Sequence, residues 1–205
     1  MKPIRTLSAS LVVALAVITS SVKSQDIYLW FDGVKGSSQV TWPGIPNNSA
    51  THIVNLQSVG VTAACASCAV VPSPGGKVSP GKLVFNLNDG QAMQQLKTLL
   101  FSQQTTTKPV CFVFRKSTGG TTSGASFYYI TLGQVRVLEV DEAATAGSGS
   151  SISYQVSLAY GQIQYNYKPQ KADGSFDTAI ITGWDFIKNV SLNSLTRPEK
   201  SLHFE

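Results

Sequence analysis

Apolar residues recur at every second position through long stretches of this chain. That period belongs to a strand with one face buried, not to a helix. Ile27, Leu29 and Phe31 alternate with Asp26, Tyr28 and Trp30 before Asp32-Gly33 closes the run. Leu83, Phe85 and Leu87 alternate with Lys82, Val84 and Asn86, and Val110, Phe112 and Phe114 alternate with Cys111, Val113 and Arg115. Ile53 to Val59 reads as a further strand, Phe127 to Val140 as one long strand, and Ile152 to Lys168 as another, bent at Gly161. A glycine inside a strand often marks a bulge or a break. Ile180 to Ile187 completes seven or eight strands with Gly-rich connections. The expected fold class is all-β, a sandwich or barrel.

One helix interrupts the pattern. Met93, Leu96, Leu99 and Leu100 share a face, with Gln94, Gln95 and Lys97 opposite. Asn88 is placed to cap its start, with Gln91 three residues on. The pattern fades at Thr105-Thr106-Thr107, ahead of Pro109. These apolar residues read as core packing. At 205 residues the chain fits one domain.

The amino terminus reads as a leader. Lys2 and Arg5 precede an uncharged apolar stretch, Leu11 to Ile18, and small residues up to Ser24 prepare a cut before Gln25. The stretch is too short to span a bilayer. Residues 1–24 are therefore expected to be removed and the mature protein to be secreted or periplasmic, with no membrane partner. Removing Lys2, Arg5 and Lys23 leaves thirteen basic against eleven acidic residues, a net charge near +2. Charged residues are only 13% of the chain, and no basic cluster survives. That composition excludes nucleic acid as the default partner.

Chemistry-bearing groups are sparse. Only His52 and His203 are available as bases or imidazole ligands, and His203 falls in the carboxyl-terminal tail. Asp141-Glu142 reads as the solvated start of a loop, because adjacent residues in an extended chain point to opposite faces. No phosphate-cradling glycine motif stands between a strand and a helix. No enzyme activity, cofactor or metal is expected. Asn47-Asn48-Ser49 and Asn189-Val190-Ser191 match the glycosylation sequon by chance. In an oxidising compartment one pair among Cys65, Cys68 and Cys111 is expected to form a disulfide, with Cys111 joined to either Cys65 or Cys68. Tyr28, Tyr128, Tyr129, Tyr154, Tyr160, Tyr165 and Tyr167 offer an aromatic sugar-binding face or, the preferred reading, packing within a sheet or interface.

Residues Gln162 to Ser175, QIQYNYKPQKADGS, followed by Gly183-Trp184-Asp185-Phe186, resemble the haemolysin-coregulated protein (Hcp) family, the tube protein of type VI secretion. Asp26 to Gly36, DIYLWFDGVKG, is similar to the family's opening strand and turn. The resemblance covers most of residues 26–187. It implies a β-barrel of two antiparallel sheets with one α-helix, Hcp-like, over residues 25–187, with residues 188–205 as a tail. It also implies a structural protein that forms hexameric rings, stacked into tubes, with secretion-system components or effector cargo as partners. In the family an extended hairpin loop helps subunits meet. Its counterpart by position is the uncharged stretch Ser117, Thr118, Gly119, Gly120, Thr121, Thr122, Ser123, Gly124, Ala125 and Ser126. The leader, the stretch Val61 to Gly81 with two cysteines and three prolines, and the tail depart from the family pattern. The competing expectation is a secreted monomeric β-barrel module that binds a protein or a glycan.

Overall fold

The computed structural model describes residues 25–38, 53–64, 78–116, 125–147 and 151–195. The alternating runs fold as β1 (Gln25–Trp30), β2 (Ile53–Leu56), β3 (Ser58–Ala64), β4 (Ser79–Leu87), β5 (Val110–Lys116), β6 (Ser126–Gly133), β7 (Arg136–Thr145), β8 (Ser151–Ala159), β9 (Gln162–Tyr167), β10 (Ile180–Asp185) and β11 (Val190–Ser191). A single helix among the described residues, α1, spans Gly90–Ser102. One sheet has seven strands in the order β11-β10-β9-β6-β5-β1-β2; the other has four, β3-β4-β8-β7. All pairings between strands are antiparallel.

The two sheets pack face to face through the residues that the alternation marks. Leu29 and Phe31 of the β1 region, Phe112 of β5 and Leu132 of β6 meet Leu83, Phe85 and Leu87 of β4 and Val156 and Leu158 of β8. The rings of Phe85 and Phe112 cross at 64° with centroids 5.6 Å apart, an edge-to-face contact between the sheets. Burying each such side chain contributes about 1.5–3 kcal/mol.

Three expected long strands are each cut in two. The run from Ile53 breaks at Gln57, that from Phe127 at Gln134 and Val135, and that from Ile152 at Tyr160-Gly161. At each break the chain passes from one sheet to the other. Two of the crossings are tied together, since the Gly161 amide donates to the Gly133 carbonyl at 3.0 Å. Gln134 takes a left-handed conformation at φ 54° to make its turn. Because β11 and β7 remain terminal strands, the sheets do not close into a barrel.

Helix α1 buries Ala92, Met93 and Leu96 against the core. Its cap is Asp89, not Asn88: Asp89 Oδ1 accepts from the amides of Gln91 at 3.0 Å and Ala92 at 3.1 Å. The other carboxylate oxygen accepts from the amide and hydroxyl of Ser37, at 2.6 and 2.8 Å. This tie to a residue far away in sequence decides between two adjacent residues that are equally able to cap. The helix ends at Gln103, in the left-handed region.

Candidate functional site

The hairpin between β5 and β6 is braced at its neck. The Lys116 amide donates to the Ala125 carbonyl at 3.1 Å, and the strand register shifts between Phe114 and Arg115. Ser117 to Gly124 lie outside the described residues; Ala125 and Ser126 form the returning side of the neck. The Lys116 ammonium lies 5.4 Å from the Phe127 ring centre and donates to Gln170 Oε1. Gln170 in turn donates to the Gly174 carbonyl at 3.0 Å.

Gln170 belongs to a tight turn that follows β9. Lys171 N donates to the Ser175 carbonyl, Gly174 turns the chain at φ 87°, and Asp173 Oδ1 accepts from the amide and hydroxyl of Ser175. The Ser175 hydroxyl and amide hold the Asp173 carboxyl below its ordinary value. The Lys168 amide donates to the Phe127 carbonyl, so this turn and the hairpin neck form one end of the molecule. The sequence KPQKADGS thus builds a brace. Sequence reasoning places the hairpin but misses its support, because Lys116 and Gln170 are far apart along the chain.

A second turn follows β10. Asp185 is only 2% exposed, and its Oδ1 accepts from the amides of Ile187 and Lys188 while Oδ2 accepts from Gln162 Nε2 at 2.7 Å. The Lys188 amide and the Gln162 side chain together hold this carboxyl below its usual range. Gly183 fits because a Cβ there would stand 2.5 Å from the Leu192 carbonyl oxygen and 3.0 Å from that of Ile163.

Most of the tyrosines pack. Tyr28, Tyr129, Tyr154 and Tyr160 are buried. Burial, with Tyr165 nearby, pushes the Tyr160 hydroxyl up to about 12. The Tyr128 and Tyr165 rings stack within 9° of parallel. Tyr167 alone is largely exposed among the described tyrosines, edge-on to Tyr128.

The remaining sequence candidates scatter. Cys111 sits fully buried near the start of β5, its Sγ 3.7 Å from Thr131 Oγ1. Cys65, Cys68, His52 and His203 lie outside the described residues, as do residues 1–24 and 196–205. Asp141 and Glu142 stand within β7 and not at a loop start, because the strand runs on to Thr145. They do face opposite sides: Glu142 pairs with Lys97 of α1. Among the described residues no group of three His, Cys, Asp or Glu is placed to hold a metal ion, and no helix is long and apolar enough to cross a membrane.

Exposed apolar residues are what sequence reasoning missed. Phe101, Leu138, Ile152, Tyr167, Ile180, Ile181, Ile187 and Val190 are all large and exposed. A signal exists at Ile180-Ile181, where consecutive apolar residues in one strand require one of them to leave the core face.

No protein-family model matches the chain. Protein hcp1 of Pseudomonas aeruginosa is 39% identical over 67 residues, a stretch amounting to 31% of this chain and 40% of that relative. A type six secretion system protein of known structure superimposes with a TM-score of 0.67 at 17% identity, covering 82% of this chain and all of the other. Hcp1 from Salmonella typhimurium superimposes with a TM-score of 0.62 at 21% identity, covering 82% of this chain and 99% of the other. A type VI secretion system effector from Yersinia pestis gives 0.55 at 17% identity over 78% of this chain. The fold is Hcp-like.

Proposed function

We propose that this chain is a member of the Hcp family and works as a self-assembling structural protein of the type VI secretion kind, forming hexameric rings that stack. The observation that carries this reading is the extent of the structural match: 82% of this chain accounts for 99% of Salmonella Hcp1. The stretch shared with Pseudomonas hcp1 adds sequence support. The chain's role is mechanical and needs no cofactor. Residues 1–24 act as a leader, cut before Gln25, the first residue of β1. A chain exported by the general secretory route cannot load a cytoplasmic sheath, so we place this protein as a secreted or periplasmic relative of the tube proteins, with effector cargo or secretion-system components as its partners.

The interface reading starts from the braced hairpin. Residues Ser117–Ser126 carry no charge, so covering them with a neighbour desolvates neither Lys nor Glu. The Lys116–Gln170 brace fixes the neck of the hairpin. The test is the particle formed by residues 25–205. Ring-shaped particles in negative-stain images support the reading. A monodisperse single-chain species overturns it in favour of a secreted monomeric module binding a protein or glycan.

A further inference from the structure

The seven-stranded sheet has two faces, and both are buried. Leu29, Phe112, Ile130 and Ile163 point into the core between the sheets. The residues that alternate with them point the other way. In register, Tyr28 stands beside Val113, Val113 beside Tyr129 and Tyr129 beside Asn166, with Thr131 beside Gln164 in the next row. All six are buried; Val113 is 1% and Asn166 4% exposed. Tyr28, Val113 and Tyr129 stand outside the core cluster that the four-stranded sheet and α1 complete. An antiparallel sheet with one packed face commonly leaves the other to water, so a dry outer face needs a further layer of chain over it.

The chain after β11 begins that layer. Gly183 and Gly133 share this outer face, because their neighbours Trp184 and Leu132 pack on the core side. A Cβ at Gly183 would stand 2.5 Å from the Leu192 carbonyl oxygen, and one at Gly133 would stand 3.1 Å from Leu195 Cδ2. Residues 192–195 therefore cross the outer face from β10 to the end of β6, in the space that two missing side chains leave. Ser194 and Leu195 line one cavity with Thr107 and Pro109, which lead into β5.

We propose that residues 196–205 continue this path along β6 and β5 and cover the outer face, so that the carboxyl-terminal segment forms a third layer of the molecule. From Gly133 to Ser126, the register partner of Arg115, is about 23 Å of strand. Ten further residues reach about 33 Å when extended. The segment has the chemistry this face calls for. Leu202 and Phe204 are apolar at alternate positions, suited to Val113 and Tyr129. Arg115 is 8% exposed on the same face, with Asp26 as its register neighbour on β1. A buried guanidinium favours further acid nearby, and Glu199 and Glu205 supply it. Asn166 Oδ1 is buried without a hydrogen-bond partner among the described residues, and a main-chain N–H laid over it would satisfy it. Residues 39–52 are less well placed, because they leave and rejoin at the β2 edge, where Ser38 meets Asn55. The inference does not rest on the self-assembly reading, since the layer is complete within one chain. It removes this face from the surfaces open to a neighbour or to cargo.

Trypsin provides the first test, because Lys200-Ser201 is a cleavable bond within the segment. In residues 25–205, cleavage after Lys200 is expected to run about tenfold or more slower than in the free peptide of residues 196–205. Phe204→Asp is expected to bring cleavage within about twofold of the peptide rate while the circular-dichroism signature stays unchanged; should that signature be lost, Phe204→Ser replaces it. Cleavage at the peptide rate in the unaltered protein overturns the proposal, as does protection that survives Phe204→Asp combined with Leu202→Asp. The second test locates the contact with p-benzoylphenylalanine in place of Phe204. Irradiation is expected to join it to a peptide of β5 or β6 in a product of one-chain mass. No crosslink, or one to any other part of the chain, overturns the proposal. A product of two-chain mass gives the face to the tail of a second copy and overturns the intrachain layer. A monomeric protein overturns the self-assembly reading alone and leaves every one of these outcomes readable.

Discussion

Asp89 does two jobs with one carboxylate. It caps α1 and holds the Ser37 segment against the helix start. Burial alone raises its pKa, but the hydrogen bonds from Ser37, Ala92 and Gln91 outweigh that and lower it below the ordinary 3.8. A carboxyl depressed in the folded state lends stability that is complete above its unfolded value and drains away as pH falls through the folded one. We therefore expect the urea midpoint to fall as pH drops below about 3.8, and Asp89→Asn to blunt that fall. Asp89→Ala is expected to cost about 1–2 kcal/mol at neutral pH, with loss of both the cap and the Ser37 tie. Gly183→Ala is expected to destabilise by about 1–3 kcal/mol, since its Cβ meets two main-chain oxygens that cannot move independently. An unchanged denaturation midpoint contradicts that assignment. The cysteines form a separate test. Labelling under denaturing, non-reducing conditions is expected to find one thiol, with Cys111 bonded to Cys65 or Cys68; three labelled thiols refute the bond. In the chain-entropy model such a bond stabilises by about 3–4 kcal/mol.

At the scale of elements, β1, β4 and β5 were legible from alternation, because Leu29, Leu83, Phe85, Leu87, Val110 and Phe112 reach the core at every second position, whereas the Ser79–Gly81 start of β4 was not, since it stays outside the core. The cuts at Gln57 and Gln134 were not. Glutamine carries no turn signature, but the alternation slips phase at both positions: the core-facing residues pass from Val54 and Leu56 to Val59 and Val61, and from Ile130 and Leu132 to Val135 and Val137, as the chain passes between sheets. Gly161 was legible, since a strand that contains glycine advertises a bend. The helix was legible from its spacing, but its cap was not, because the deciding partner, Ser37, lies 52 residues away. Of the candidate site, the uncharged hairpin tip could be read from composition. Its brace at Gln170 and the exposed Phe101 could not, since both depend on how distant segments meet. Deleting Gly119–Gly124 is expected to leave the circular-dichroism signature intact and to release folded monomers. Rings that survive the deletion exclude this tip as a contact.

For the whole molecule, the low charge, the two unclosed sheets and the exposed Ile180 and Ile181 on the β10 edge support the proposed self-assembly. The structural match covers nearly all of Hcp1 but rests on low identity, so the shared property is architecture, and the assembly must be measured on this chain. Processing is the first check: the exported protein is expected to begin at Gln25 by mass spectrometry, and retention of Met1–Ser24 contradicts export by cleavage. The central claim is tested most directly by light scattering of residues 25–205 across the micromolar range, coupled to size exclusion. The account predicts a particle with the mass of a hexameric ring, or of stacked rings at higher concentration. A single species with the mass of one chain throughout that range contradicts it.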